Sequence, residues 1–339
     1  MVDNREEKFI EDIEEYYLSV ITRYLGADPQ GLVQNLENHN RSWDQWYPKL
    51  KSKKNFFDAG AERVVYMLLN RGDILGDPSS NPLGSDNSFL KYDRHFEKHL
   101  AINIDVKAIK ANTNFNDFIG NSPIGKNQNS YKSNIEYFSK TKLVELRGYE
   151  PGLETNYSIE GSDYINITYS IIILYCELPI DTETPNEQRV IAIITNCIPN
   201  GKLYNVYKNK VFSPGKTSEL RVKEGQKINI GDGKTITTDG SETIKKIEKD
   251  HFLTYEKYCK LNGMNKIRWH LDARFNYKNI KFSTLENERQ SRVKKIYLEQ
   301  DLYNEFFYYV KENKKQIKPA NRWKKTVDNF EFIKSLKFF

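Results

Sequence analysis

The chain has 339 residues, enough for one large domain or two modest ones with a substantial core. Charged residues make up 29% and mean hydropathy is −0.73, but 13% aromatics argue against disorder. No apolar run approaches the ~18 residues of a membrane span, and the acidic start MVDNREEKFIEDIEEYYLSV lacks the zones of a secretory signal.

A cytoplasmic protein without membrane association is therefore expected. Cys176, Cys197 and Cys259 are odd in number, widely spaced and outside any CxxC pattern, which fits a reducing compartment. The net charge of +6 is unevenly spread. Residues 1–50 hold ten acids against five bases, and residues 311–339 hold nine bases against three acids. One end suits phosphates and the other does not.

In chain order, residues 3–25 predict an amphipathic helix, with Phe9, Ile13, Tyr16, Tyr17, Val20 and Tyr24 at helical spacing and Gly26 as the stop. SWDQWYPKL (42–50) reads as an aromatic connector. NFFDAGAERVVYMLLNRGD (55–73) predicts a second helix with Asp58 as N-cap. Ala61, Val64, Val65, Leu68 and Leu69 form its buried stripe and Gly72 its end. SFLKYD and LAINIDVKAIK predict two strands. Residues 112–131 read as a long polar loop or ribbon. INITYSIIILYCELPI (165–180) and RVIAIITNCI (189–198) are β-branched and apolar, as buried strands are. Residues 212–241, rich in Gly, Lys and Thr, predict hairpins, and residues 285–318 one long helix before Pro319.

INIDVKAIK (102–110) carries an acid and a lysine two residues apart. In a strand, Asp105 and Lys107 share one face, while Ile102, Ile104 and Val106 take the other. A hairpin centred on His95-Phe96 pairs Asp93 with Lys98, Leu90 with Ala101 and Phe89 with Ile102. It brings Asp86 opposite Asp105. Two adjacent carboxylates repel each other, and a divalent cation relieves that repulsion. Glu62 lies on the helix just before the hairpin. Asp77 and Asp93 remain alternatives to Asp86. The rival reading of Asp105 and Lys107 is an ordinary solvated ion pair on the surface.

The order helix-Glu62, Asp86, then Asp105-x-Lys107 resembles the PD-(D/E)xK nuclease superfamily. The proline of that motif is displaced here, with Pro82 four residues before Asp86. DVKAIKANTNFNDFIGNSPIGKNQNSY, followed by an apolar strand, is similar to type II restriction endonucleases related to EcoRV. The likeness covers roughly residues 55–200. It implies an α/β fold: a PD-(D/E)xK restriction-endonuclease-like core, a central mixed β-sheet flanked by helices, with an additional helical C-terminal region. It implies Mg²⁺ on Asp86 and Asp105, Lys107 acting on the attacking water, and Glu62 assisting. It also implies a homodimer on double-stranded DNA and a cognate DNA methyltransferase acting on the same site.

Three regions are expected: 1–54, helical and a possible dimer contact; 55–250, the nuclease core; and 251–339, mainly helical and basic. Within the core, a DNA-recognition segment is expected at about 112–132. In it GKNQNSYK (125–132) is the best candidate for reading bases, because Asn and Gln side chains can bridge adenine in the major groove; the alternative is a plain polar turn. The candidate DNA-binding residues are Lys110, Asn112, Lys126, Asn127, Gln128, Asn129 and Lys132, with Lys126 and Lys132 suited to phosphates and Gly125 permitting close approach. KLYNVYKNK (202–210) and RWHLDARFNYK (268–278) are further basic-aromatic stretches. SPGKTS (213–218) fails the phosphate-loop pattern because Lys210 stands where glycine is needed. The rival readings are a repair or recombination nuclease of the same superfamily, and a DNA-binding protein without catalysis.

Overall fold

The structure, a computed structural model, describes residues 4–46, 56–71, 73–79, 85–111, 121–124, 126–131, 133–138, 144–149, 151–178, 187–207, 212–213, 224–240, 247, 250–253, 255–263, 278–281, 292–312 and 331–338. Helix α1 (Asn4–Leu25) places Glu6 and Glu7 in its first turn and Arg23 in its last, complementing the helix dipole. Ile10, Ile13, Tyr17, Leu18, Ile21 and Leu25 are buried along one stripe. Gly26 closes it, donating its N–H to Thr22 O at 2.9 Å.

A second helix, α2 (Pro29–Trp46), covers residues 42–46, which the sequence presented as a connector; that reading is corrected. Asp28 caps it: Oδ1 accepts the Gly31 N–H at 2.9 Å, and Asp28 O accepts the Leu32 N–H at 3.0 Å. Pro29 then takes the first helical position, where a missing N–H costs nothing. Helix α3 (Phe56–Arg71) buries Ala61, Val64, Val65 and Leu69 as expected, with Leu68 partly covered. It starts before Asp58, so that residue lies in its first turn, and Gly72 lies outside the described residues.

The main sheet is built from β1 (Asp77–Pro78), β2 (Asn87–Asp93), β3 (Lys98–Lys110), β4 (Asn156–Ile159), β5 (Ser162–Leu178), β6 (Glu187–Ile198) and β7 (Val293–Leu298). Its order is β1-β2-β3-β5-β6-β7, with β4 also on β5. Strands β3 and β5 pair in parallel, and the other pairs are antiparallel. This is the expected mixed sheet. Parallel pairing requires a long crossover, and the chain between Lys110 and Ser162 supplies it.

The hairpin register is the one read from the sequence: Phe89 pairs with Ile102, Leu90 with Ala101 and Asp93 with Lys98. The turn is wider than two residues. Asp93 Oδ1 accepts the N–H groups of His95 (2.8 Å) and Phe96 (3.0 Å), and Glu97 takes φ +53°. The centre is unchanged, so the register survives.

Leu100, Ile102, Ile104 and Val106 of β3 join the apolar core with Ile167, Tyr169, Ile171 and Ile173 of β5 and with α1, α2 and α3. The alternate residues of β3 face the other way. A buried ionic cluster fixes α1 to the sheet. Arg292 Nη1 donates to Glu14 Oε2 at 2.6 Å, and Arg292 Nε to Tyr207 Oη at 2.6 Å. Tyr207 donates to Glu11 Oε1 at 2.9 Å, and the Asn200 N–H to Glu14 Oε1 at 2.6 Å. Burial pushes the Glu14 carboxyl up, while Arg292 and the Asn200 N–H oppose the shift.

The single helix expected over 285–318 is corrected. Residues 293–298 form β7, antiparallel to β6, and only after it does α4 (Gln300–Glu312) begin. Val293, Ile296 and Tyr297 gain more by burial along β6 than a helix would give them, so tertiary context overrides propensity. The C-terminal region is therefore not purely helical.

The chain divides into two compact units, Met1–Phe212 with Ile280–Phe339, and Ser213–Asn279. The second contains the expected hairpin, Lys227–Gly231 with Lys234–Thr237, turning through Asp232 at φ +53° and Gly233 at φ +71°. No helix among the described residues is long and apolar enough to cross a membrane.

Candidate active site

Strand β2 begins at Asn87, opposite Ile104. One residue earlier, Asp86 continues the ladder with its side chain: its Oδ2 accepts the Val106 N–H at 2.7 Å. This holds the exposed Asp86 carboxylate against the middle of β3, beside Asp105. Asp105 itself is buried, at 2% exposure. Its Oδ1 accepts Lys107 Nζ at 2.9 Å and Gln128 Nε2 at 2.5 Å. The lysine side chain is a quarter exposed, so the pair is not wholly sealed from solvent.

Burial pushes the Asp105 carboxyl up to about 7. Lys107 opposes this, and the negative charges of Asp86 and Glu62 add to it. Glu62, half-buried on α3, is thus near enough to act on Asp105 electrostatically. The structure brings Asp86, Asp105, Lys107 and Glu62 together.

The two alternatives to Asp86 are elsewhere. Asp93 is buried and occupied with the hairpin turn and with the Tyr17 hydroxyl, which donates to its Oδ2. These contacts, which include three hydrogen bonds, outweigh burial and hold its carboxyl below the ordinary range. Asp77 is exposed on the edge strand, opposite Leu90 further along β2.

The donor set suits a hard divalent cation. Among the described residues no group of three or more His, Cys, Asp and Glu side chains is placed to hold a metal. Mg²⁺, however, is characteristically held by one or two carboxylates together with water and substrate phosphates. A buried carboxyl whose negative neighbours raise its pKa is the group a cation would relieve.

The recognition candidates separate in space. Asn127 is exposed and Gln128 half-buried on a 3-10 turn, Lys126–Gln128. Asn129 is fully buried, its Oδ1 accepting the Tyr131 N–H at 2.9 Å. Lys110 Nζ contacts Glu177 Oε2 at 2.5 Å. Asn112, Lys132 and the Lys126 side chain lie outside the described residues. In the 202–210 stretch, Lys202 pairs with Glu6 and Tyr207 is buried in the Arg292 cluster; residues 268–277 lie outside the described residues.

Sequence reasoning missed three neighbours of Asp105. One is the Gln128 contact. The others are Ser170 and Asn196, which stand beside Asp105 in a row across β3, β5 and β6. Ser170 and Asn196 are buried, and neither the Ser170 hydroxyl nor the Asn196 amide has a hydrogen-bond partner among the described residues. Their signal was two small polar residues interrupting the most apolar strands of the chain.

The chain matches the family of the type II restriction enzyme MwoI, N-terminal domain, over residues 6–181. No curated protein matches it. Its fold is similar to that of the restriction endonuclease BglI bound to its DNA recognition sequence. The TM-score is 0.51 at 16% identity, covering 63% of this chain and 83% of that one. Tetrameric restriction endonuclease SfiI bound to cognate DNA gives a TM-score of 0.48 at 15% identity, covering 62% of this chain and 75% of that one. The family match spans more than half of the sequence, including Glu62, Asp86, Asp105, Lys107 and the strand beside them; the chain belongs to the MwoI family of type II restriction enzymes.

Proposed function

We propose that the chain hydrolyses phosphodiester bonds of double-stranded DNA at one short sequence, with Mg²⁺, and that its site is of the PD-(D/E)xK kind. The observation that carries this reading is the convergence of Asp86, Asp105 and Lys107 at the end of β2, with the charge of Glu62 felt there. Asp86 and Asp105 would hold the ion. Mg²⁺ supplies Lewis-acid polarisation of the phosphate and a more acidic water. Lys107, fixed on Asp105, orients the attacking water and neutralises charge developing on the phosphate. Glu62 contributes a further negative group at the rim.

Base reading falls to the segment about 112–132, through Asn112, Asn127 and the turn around Gln128, with Lys110, Lys126 and Lys132 toward phosphates. Asn129, being buried, supports that turn from within. Two copies related by a two-fold axis would match a palindromic site. A methyltransferase modifying the same sequence would protect host DNA in the same cytoplasm.

Supercoiled plasmid with Mg²⁺ tests the reading. Discrete fragments are expected, and sequencing their ends gives the site and the overhang. A smear, or a preference for branched substrates, would mark a repair nuclease. Retardation without cutting would mark a binding protein.

A further inference from the structure

Gln128 and Lys107 converge on the same atom. Asp105 Oδ1 receives Lys107 Nζ at 2.9 Å and the Gln128 amide at 2.5 Å. The lysine comes from the same strand. The glutamine comes from the crossover, from the turn that carries the exposed Asn127.

The fold presents this amide to Asp105 from a half-buried turn beside a fixed anchor. Immediately after Gln128 the chain dives into the interior, with Asn129, Ser130 and Tyr131 all buried. Asn129 Oδ1 closes a turn on the Tyr131 N–H, and Ser130 Oγ accepts the Gly201 N–H at 3.2 Å. The packing there admits nothing larger: a Cβ on residue 201 would sit 2.3 Å from Ser130 O. Gln128 is thus the last residue before a rigid anchor, with its amide aimed at Asp105.

An amide N–H and a divalent cation seek the same lone pairs. With two donors on Oδ1, the carboxylate oxygen nearest Lys107 is taken in the DNA-free protein. From this geometry we infer that Gln128 is a latch: without DNA its amide occupies Asp105 and weakens cation binding. Engagement of the 126–128 turn by DNA withdraws the amide and completes the metal site. The inference rests on Asp105 being a metal ligand, and it makes Gln128 a positioning residue that couples recognition to catalysis.

The test measures Mn²⁺ binding to the full-length, DNA-free protein by electron paramagnetic resonance. Gln128→Met keeps the side-chain length and removes the donor; Gln128→Ala removes the side chain. Both are expected to bind Mn²⁺ about ten-fold more tightly than wild type, the worth of about one hydrogen bond to a charged group. Both should also lose discrimination between the cognate site and a site one base pair away. Asp105→Asn is expected to bind no Mn²⁺ there. If Asp105→Asn loses Mn²⁺ but neither Gln128 variant binds it more tightly than wild type, the latch is overturned and the metal site stands. If Asp105→Asn binds Mn²⁺ as wild type does, the metal-site reading falls and the latch with it.

Discussion

Asp105→Asn separates catalysis from stability. The carboxyl is pushed from 3.8 to about 7, chiefly by burial. At about 1.4 kcal/mol per pH unit, holding it ionised in the folded state costs about 4 kcal/mol. The folded state binds this proton more tightly than the unfolded chain. The group therefore withdraws stability as pH rises from about 4 to about 7, and the loss stays constant above that. Asparagine stays neutral and keeps an oxygen for Lys107 and Gln128. That shift already includes the ion pair with Lys107, so the variant should exceed metal-free wild type by about 2–4 kcal/mol at pH 8. The two should converge near pH 4. Urea denaturation in chelator at about pH 4, 6 and 8 measures the gap. Mg²⁺ should then stabilise wild type and leave the variant unmoved, and cleavage by the variant should be absent. A variant no more stable than wild type at pH 8, or a gap that does not narrow on acidification, would refute the account of Asp105 as a strained, buried carboxylate.

Lys107→Ala should abolish plasmid cleavage while DNA binding in Ca²⁺ remains measurable by gel retardation; cutting near the wild-type rate would remove Lys107 from the site. Asp86→Asn should lose Mg²⁺-dependent cleavage. Asp93→Asn should keep it at the cost of about 1–3 kcal/mol of stability, because the Tyr17 hydroxyl loses its ionised acceptor; the reverse pattern would move the first ligand to Asp93. Glu14→Gln should cost about 3–5 kcal/mol in urea unfolding, since it leaves the buried Arg292 short of its counter-charge. Lys132→Ala should weaken binding to cognate and scrambled duplexes alike and lower the salt slope by about one; a loss confined to the cognate duplex would make it a base reader.

Much of this site was legible because strands obey a period of two. Asp105 and Lys107 had to share a face once LAINIDVKAIK was read as a strand, and a hairpin centre at 95–96 brought Asp86 to the same level. Even the wider turn preserved that register, because pairing Asp93 with Lys98 keeps the hairpin centre between His95 and Phe96. Helix α2 is written in Asp28-Pro29, with Leu32, Val33 and Leu36 behind it. Strand β7 was not readable locally. RVKKIYL carries enough helical spacing to mislead, and what makes it a strand is the exposed edge of β6, roughly a hundred residues earlier in the chain. The Gln128 contact was hidden for a related reason: no local pattern tells that a loop folds back onto the strand it left.

That return follows from the parallel pairing of β3 with β5. A chain leaving the far end of β3 must travel back to the level of His99 before β5 can start, opposite Tyr164. The detour is obligatory, but its length is nearly free. Closing a loop twice as long adds only about 0.6 kcal/mol of entropy. Insertions and exchanges within the detour therefore leave strand register, carboxylates and lysine where they are. If the crossover reads bases as proposed, the topology sets aside one stretch of chain in which target preference can drift or be redesigned, while the anchor at residues 129–131 ties its middle to the sheet.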